Sequence, residues 1–262
     1  PLASANAVLS QEEKEAGVAL IDIGGGTTDL AIFKDGIIRH TAVIPFGGNV
    51  ITEDIKEGCS IIEKQAELLK VKFGSAWPGE NKDNEIVSIP GLRGREPKEI
   101  TLKNLSKIIN ARIVEIIDQV YLEIKNYGHD EQKKKLIAGL VLTGGGAQLK
   151  HLKQTAEYIT GMDTRIGFPN EHLAGTTDSE TTSPVYATAV GLVMNSLEKG
   201  SNRFQEEAVL SENSPVEDSE ENEERDQQKD ADMEEQTSKK VARKTVFDKW
   251  AEKFKDFLDN AE

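Results

Sequence analysis

The alternation of apolar and polar residues predicts a mixture of strands and helices along most of the chain. Residues 17–45 contain β-branched and aliphatic runs that predict three strands, with a turn at 34–36. Helical spacing follows at 49–57 and 60–73, and a short strand is predicted at 85–89. Strands interleaved with helices in this way indicate the α/β class.

A long amphipathic helix is predicted after Thr101, because apolar residues there recur about every 3.6 positions. These positions are Leu102, Leu105, Ile108, Ile109, Ile113, Ile116, Ile117, Val120 and Leu122. An apolar run at 136–142 then predicts a strand that returns the chain to the sheet. We therefore predict a core domain of residues 1–58 and 134–198, with a smaller subdomain inserted at 59–133.

Two of the predicted strands lead into runs of three glycines. The first glycine turn is DIGGGTTD at 22–29, and the second is TGGGA at 143–147, about 120 residues later. Because glycine has no Cβ, its backbone N–H groups can approach a phosphate closely. A single Gly-Gly-Gly is more often a plain tight turn. The prediction of a nucleotide site therefore depends on the pair.

The flanking residues suggest how each glycine turn is built. The first lies between two predicted strands and is expected at a hairpin tip, where Asp22 and Asp29 could hold a hydrated Mg²⁺. The second is followed by helical spacing from Gln148, which predicts a helix N-terminus facing the ligand. Neither turn is a complete dinucleotide fingerprint, and neither is followed by a Walker lysine.

The sequence argues against an internal disulfide, a zinc site and a membrane-spanning helix. The one cysteine, Cys59, cannot form an internal disulfide and is expected to be a small buried residue. The four histidines lack the spacing of a zinc site, and no apolar run reaches the roughly 18 residues needed to span a bilayer.

Charge changes abruptly toward the C-terminus. Residues 204–238 hold fourteen acidic and two basic residues, a net of −12 out of the formal −14 of the chain. Such a segment cannot bury enough apolar surface to fold, so we predict a disordered acidic linker at 199–238.

An amphipathic helix is predicted within 239–262, after a basic segment. Its apolar stripe has spacings of 3, 4, 3 and 1 and consists of Phe247, Trp250, Phe254, Phe257 and Leu258. An aromatic stripe usually faces a core. Because the acidic linker separates this one from the core, the alternative is a helix that lies in a membrane interface and is attracted to anionic lipid.

The glycine turns resemble those of a known superfamily. DIGGGTTDL is similar to the second phosphate loop of the actin, sugar kinase and heat-shock-70 superfamily, and TGGGA to its adenosine loop. Within that superfamily, RHTAVIPFGGN at 39–49 and AELLKVKFG at 66–74 are similar to the FtsA family, bacterial actin homologues of cell division. The resemblance covers roughly residues 1–198 and returns at the C-terminus.

This resemblance implies an actin-like (ribonuclease H-like) ATPase fold, of which the chain would hold one half. Nothing before Asp22 resembles the first phosphate loop, so we interpret the chain as a C-terminal fragment. The implied ligands are ATP and Mg²⁺, with Asp22 in the outer shell of the metal. The residues expected at the β- and γ-phosphates are Gly24, Gly25, Gly26, Thr27 and Thr28, and those expected to pack on the adenosine are Gly144, Gly145 and Gly146.

Glu67 and Lys70 match the E-x-x-K that reaches the ribose and adenine in heat-shock-70-like relatives. They are three residues apart and lie on one face of the predicted helix. The alternative for this pair is a solvated salt bridge, which would contribute little to stability.

The resemblance also implies a role in cell division. Members of the family polymerise with themselves and tether filaments of FtsZ, a tubulin-like protein, to the cytoplasmic face of the inner membrane at the division site. The 59–133 subdomain would receive the C-terminal tail of FtsZ, and the C-terminal helix would be the peripheral membrane anchor. Other division proteins are expected partners, and nucleic acid is not.

Two other functions are consistent with the same superfold. A phosphotransferase or exopolyphosphatase-like phosphohydrolase would need only the first glycine turn. A heat-shock-70-like chaperone would need a peptide-binding β-domain after residue 200, where the acidic segment lies instead. The sequence assigns no general base, so we expect at most weak ATPase activity.

Overall fold

The computed structural model describes residues 1–82, 84–91, 96–169 and 181–197. A five-stranded sheet of order β3-β2-β1-β6-β7 lies at the centre, and β4 and β5 pair separately. The strands are β1 Val18–Ile23, β2 Thr28–Lys34, β3 Ile37–Ile44, β4 Ile86–Ile89, β5 Lys98–Thr101, β6 Leu140–Thr143 and β7 Thr164–Ile166.

The first three strands form an antiparallel meander, as predicted for residues 17–45. The predicted turn between β2 and β3 is confirmed. Asp35 and Gly36 both have positive φ, 56° and 76°, which is the two-residue turn whose twist suits a hairpin. β6 and β7 are added in parallel on the other side of β1, so the sheet is mixed.

Helices cover both faces of the central sheet. They are α1 Leu2–Val8, α2 Gln11–Ala16, α3 Gly48–Cys59, α4 Glu63–Phe73, α5 Leu102–Tyr127, α6 Leu152–Thr160 and the helical residues 187–197, here α7. The helices predicted at 49–57 and 60–73 are confirmed as α3 and α4. The short helices α1 and α2 were not predicted.

The long predicted helix is confirmed as α5. Its N-terminus is capped by Thr101, whose Oγ1 accepts a hydrogen bond from the backbone N–H of Asn104 at 3.3 Å. It ends at Gly128, which has the left-handed conformation common after helices (φ 97°). Most of its predicted apolar stripe is buried, so this helix is part of the core. Leu122 is the exception, because its side chain is 57% exposed, and Ile124 is buried in its place.

Two hydrophobic clusters hold the helices to the sheet. On one face, alternate residues of β1 such as Ile21 pack with α3, α4, α5 and α6. On the other face, Leu20 packs with α1 and the start of α7. β1 is buried on both faces, which explains its nearly continuous apolar sequence. Side chains from 59–133 belong to the first cluster, and the limits of the predicted subdomain stay a prediction.

The strand predicted at 136–142 is partly wrong, because the strand runs from Leu140 to Thr143. Gly139 has a φ of 69°, and a Cβ there would lie 2.1 Å from the backbone oxygen of Asp163. The residues before β6 therefore turn where the apolar run suggested extended chain.

None of the helices in the described part is both long and apolar enough to cross a bilayer.

Candidate functional site

The two glycine turns leave the sheet side by side. β1 and β6 are parallel neighbours with Asp22 paired to Thr143, so both strands end at the same edge. A Cβ on Gly144 would lie 2.4 Å from Asp22 Oδ1, and one on Gly146 would lie 2.3 Å from Ile23 Cγ2. The second glycine turn therefore packs directly on the base of the first, at a distance that excludes side chains.

The first glycine turn is a hairpin tip, as predicted. The N–H of Gly24 donates to the backbone oxygen of Thr27 at 2.9 Å and closes the turn. Gly25, Gly26 and Thr27 are exposed. Among the described residues, the N–H groups of Gly25 and Gly26 have no hydrogen-bond partner. Adjacent unpaired amides at a glycine tip are suited to binding an anion.

The two threonines of this turn have different environments. Thr28 is buried, and its Oγ1 donates to the backbone oxygen of Phe46 at 2.8 Å. Thr27 is exposed, and its Oγ1 donates to Asp29 Oδ2 at 3.3 Å. The Thr28 hydroxyl is thus used within the protein, whereas that of Thr27 faces the outside of the tip.

The tip rests on the segment that begins α3. The N–H groups of Gly48 and Asn49 donate to the backbone oxygens of Gly24 and Gly25, at 2.9 and 2.8 Å. A Cβ on Gly47 would lie 2.6 and 2.7 Å from those two oxygens. The tip therefore directs carbonyl groups at α3, and helix donors that would otherwise be unpaired are satisfied.

Asp22 is held by two hydroxyl groups from other parts of the chain. Its Oδ2 accepts from Ser4 at 2.6 Å and from Thr188 at 3.0 Å. Ser4 is on α1 and Thr188 on α7, and nothing in their sequence spacing pointed to Asp22. Its Oδ1 has no hydrogen-bond partner in the described part of the chain. An oriented carboxylate with one oxygen available fits the outer shell of a hydrated Mg²⁺.

Glu67 and Lys70 form an ion pair on one face of α4, with 2.8 Å between Glu67 Oε2 and Lys70 Nζ. Lys70 also donates to Thr52 Oγ1 and to the backbone oxygen of Gly48, both at 2.8 Å. Burial would raise the pKa of the Glu67 carboxyl, but hydrogen bonds from Lys70 and Thr52 outweigh it and lower the pKa below its ordinary value. The pair lies against the start of α3, which supports the first glycine turn.

The helix predicted to begin near Gln148 begins at Leu152 instead. Residues Gly145–Gln148 form a 3-10 turn, and His151 has a φ of 61°. The cause is a tertiary contact: the backbone oxygen of Lys150 accepts from the N–H of Ala76 at 2.8 Å, which holds this segment beside the end of α4. The second turn therefore presents a short 3-10 turn in place of a helix N-terminus.

Comparison with known proteins identifies the family. The family model described as "FtsA: Cell division protein FtsA" matches residues 19–191. The chain belongs to the FtsA family. Cell division protein FtsA of Neisseria meningitidis serogroup B is 42% identical over 193 residues, or 74% of this chain and 46% of that protein. FtsA of Escherichia coli K12 is 39% identical over 196 residues, or 73% and 46%. The chain thus spans about half the length of the curated relatives it matches.

Solved structures of other proteins have a similar fold. MreB5 of Spiroplasma citri bound to ADP superposes with a TM-score of 0.59 at 24% identity, over 76% of this chain and 60% of that one. The AMPPNP-bound form superposes with a TM-score of 0.60 at 22% identity, over 77% and 59%. This FtsA family member therefore has an actin-like α/β fold, as the resemblance implied.

The remaining predictions concern residues that the structure does not describe. The acidic linker at 199–238 and the helix at 239–262 lie outside the described residues. The same holds for the apolar stripe Phe247, Trp250, Phe254, Phe257 and Leu258. The membrane anchor stays a prediction from sequence.

Proposed function

We propose that this FtsA family member binds ATP with Mg²⁺ across the two glycine turns. The observation that carries the proposal is the pairing of Asp22 with Thr143, because it sets both turns at one edge of the sheet. Gly25 and Gly26 would donate to the β- and γ-phosphates, and the second turn would pack on the adenosine. Asp22 would hold the hydrated metal ion, which neutralises phosphate charge. The nucleotides named for the MreB5 structures support this assignment.

We further propose the division role of the family for the whole protein. ATP would hold it in a form that polymerises, and the polymer would tether FtsZ filaments to the cytoplasmic face of the inner membrane. A single amphipathic helix binds lipid weakly. Linked copies raise the avidity by about 10² to 10⁴, so a polymer would bind the membrane much better than a monomer. The strength of membrane attachment would therefore depend on whether ATP is bound.

Gly26→Ala tests the nucleotide site without disturbing the fold. A Cβ at Gly26 meets no atom within 4 Å, so the variant should melt as the wild type does. The methyl group would stand where a phosphate must approach, and we expect ATP affinity to fall about tenfold, or about 1.4 kcal/mol. Adenosine, which has no phosphate, is the control ligand and should bind both proteins equally.

Competition against a fluorescent ATP analogue provides the measurement. If Gly26→Ala bound ATP as tightly as the wild type, the first glycine turn would not be part of the nucleotide site. Rapid phosphate release from polyphosphate by the wild type would instead favour a phosphohydrolase.

Trp250→Glu tests the membrane anchor in flotation with phosphatidylglycerol vesicles. Burial of a large apolar side chain contributes about 1.5–3 kcal/mol, so the substitution should weaken ATP-dependent binding at least tenfold. Thr245→Glu adds the same charge without removing an aromatic ring and is the matched control. Equal binding by the two variants would mean that charge, and not the apolar stripe, controls attachment.

A further inference from the structure

Asp22 is a half-buried carboxylate without a cationic partner. Among the described residues it forms no ion pair, and its carboxylate accepts only from the neutral hydroxyl groups of Ser4 and Thr188. A charge taken partly out of water is costly unless donors or a cation compensate for the lost hydration. The two hydroxyl groups supply hydrogen bonds but no positive charge. The environment of Asp22 is therefore suited to a cation.

The two hydroxyl groups come from helices that touch each other. Ser4 is on α1, and Thr188 is on α7. Gly191 follows Thr188 by three residues on the same face of α7, and a Cβ there would overlap the backbone oxygen of Ala3. Glycine thus lets the two backbones approach closely, and Ser4 Oγ lies 2.8 Å from Thr188 Oγ1. The packing of the helices brings both hydroxyl groups to Asp22.

Ser4 makes the shorter of the two bonds to the carboxylate. Its Oγ lies 2.6 Å from Asp22 Oδ2, and Thr188 Oγ1 lies 3.0 Å from the same oxygen. Ser4 is 0% exposed, so water could not replace it as a donor. A hydroxyl group has one proton, which Thr188 can donate either to Asp22 or to Ser4. In both cases the three groups form a closed triangle, in which Ser4 should contribute more.

The other oxygen of Asp22 faces the second glycine turn. A Cβ on Gly144 would overlap Oδ1, so this oxygen lies in the space that glycine leaves open between the two turns. No donor from the described residues reaches it. Because the two oxygens of a carboxylate are rigidly joined, the bonds that fix Oδ2 also fix the direction of Oδ1.

We propose that Ser4 and Thr188 are positioning residues for the metal: they hold Oδ2 of Asp22 so that Oδ1 is available to a hydrated Mg²⁺. The inference rests on the proposed nucleotide function, since the metal would arrive with ATP. Mg²⁺ usually keeps several of its waters, and a carboxylate of fixed orientation can accept hydrogen bonds from them. Mutation of the groups that orient such ligands typically lowers metal affinity about 10–100-fold.

The gain in ATP affinity that Mg²⁺ confers measures this role in the whole chain. Competition against a fluorescent ATP analogue gives the affinity in Mg²⁺ and again in EDTA, and the ratio of the two is the gain. We expect Ser4→Ala to reduce the gain about tenfold, at the lower end of the range for such groups. Thr188→Val should reduce it about threefold, because the bond that it removes is longer. Thr188→Ser keeps the hydroxyl group and should restore the wild-type gain.

Ser106→Ala is the matched control for Ser4→Ala. Ser106 is also 0% exposed, and its Oγ accepts from Nδ2 of Asn81, away from the carboxylate of Asp22. This variant loses a buried hydroxyl group of α5 and should keep the full Mg²⁺ gain. Thr188 is exposed, so its two variants decide the question if Ser4→Ala does not fold.

Three results would overturn the inference. If Ser4→Ala and Thr188→Val kept the full gain, the hydroxyl groups would act only on the fold, because a fold defect lowers ATP affinity equally in both buffers. If Thr188→Ser lost as much of the gain as Thr188→Val, the hydroxyl group would not be the cause. If the wild type bound ATP equally well with and without Mg²⁺, the metal role would fail and the nucleotide site would stand. A wild type that bound ATP in neither buffer would instead refute the proposed function.

Discussion

The three glycines of the second turn should respond very differently to alanine substitution. Gly144 has a φ of 83°, and a Cβ there would lie 2.4 Å from Asp22 Oδ1 and 2.6 Å from the backbone oxygen of Ile23. Gly146 has no such φ, but its Cβ would lie 2.3 Å from Ile23 Cγ2. At Gly145 the nearest atom to a Cβ is Val185 Cγ2, at 4.0 Å. Alanine is therefore opposed by both backbone conformation and packing at Gly144, by packing alone at Gly146, and by neither at Gly145.

The magnitudes follow from these contacts. Gly144 combines a φ of 83° with a ψ of 176°, a conformation that costs a residue with a Cβ about 1–3 kcal/mol. Forcing extra atoms into a packed site costs about 1–3 kcal/mol more. Gly144→Ala bears both costs, so we expect it to lose about 2–6 kcal/mol. Gly146→Ala should lose about 1–3 kcal/mol, or about 2–12 °C in melting temperature for a domain of this size. Gly145→Ala should stay within about 0.5 kcal/mol of the wild type.

Circular dichroism with thermal and urea unfolding measures the series. The neighbouring substitutions serve as controls for one another, since each adds one methyl group to the same turn. If Gly145→Ala were as unstable as Gly146→Ala, or if Gly146→Ala melted with the wild type, the second turn would not pack on Ile23. The juxtaposition of the two glycine turns would then be wrong, and with it the proposed nucleotide site.

Two further predictions concern contacts around α5. Arg112→Met removes hydrogen bonds of 2.7 and 2.8 Å to Asp54 and the packing of the guanidinium on the Phe46 ring, and should cost about 1.5–3 kcal/mol in urea unfolding. In a double-mutant cycle with Asp54→Asn, part of that loss should appear as an interaction free energy between Arg112 and Asp54. Burial lowers the pKa of His129, whose Nδ1 accepts from the N–H of Leu136 at 3.1 Å, so the unfolded chain takes up the proton first. The free energy of unfolding should therefore fall as the pH drops from about 6.5 toward the lowered pKa. Urea unfolding from pH 7.5 to 5.5 should show a smaller fall in His129→Asn than in the wild type, and equal falls would contradict the prediction.

Local sequence signals were sufficient where neighbouring residues determine the backbone. The first hairpin follows from three glycines between two apolar runs, and α5 follows from its period and from the Thr101 cap. The start of α6 could not be predicted in this way. The bond between Ala76 and Lys150 joins residues 74 positions apart, and it overrides a segment whose own spacing is helical.

The hydrogen bonds to Asp22 could not be predicted from the sequence for the same reason. Ser4 and Thr188 are separated from it by 18 and 166 positions, and only the packing of α1 and α7 brings their hydroxyl groups to one carboxylate oxygen. The motif indicated that Asp22 belongs at the site. It gave no sign of which groups orient it, because that information lies in the tertiary contacts of two helices outside the motif.

Packing explains some of the glycines at this edge of the sheet and leaves two unexplained. Gly144, Gly146 and Gly47 each meet backbone or side-chain atoms at 2.3–2.7 Å where a Cβ would be, so the fold itself requires them. Gly26 meets nothing within 4 Å, Gly145 meets one atom at 4.0 Å, and neither has a left-handed φ. Neither stability nor backbone conformation calls for glycine at these two positions. Close approach of a ligand to both turns, as in the proposed nucleotide site, would explain the two glycines.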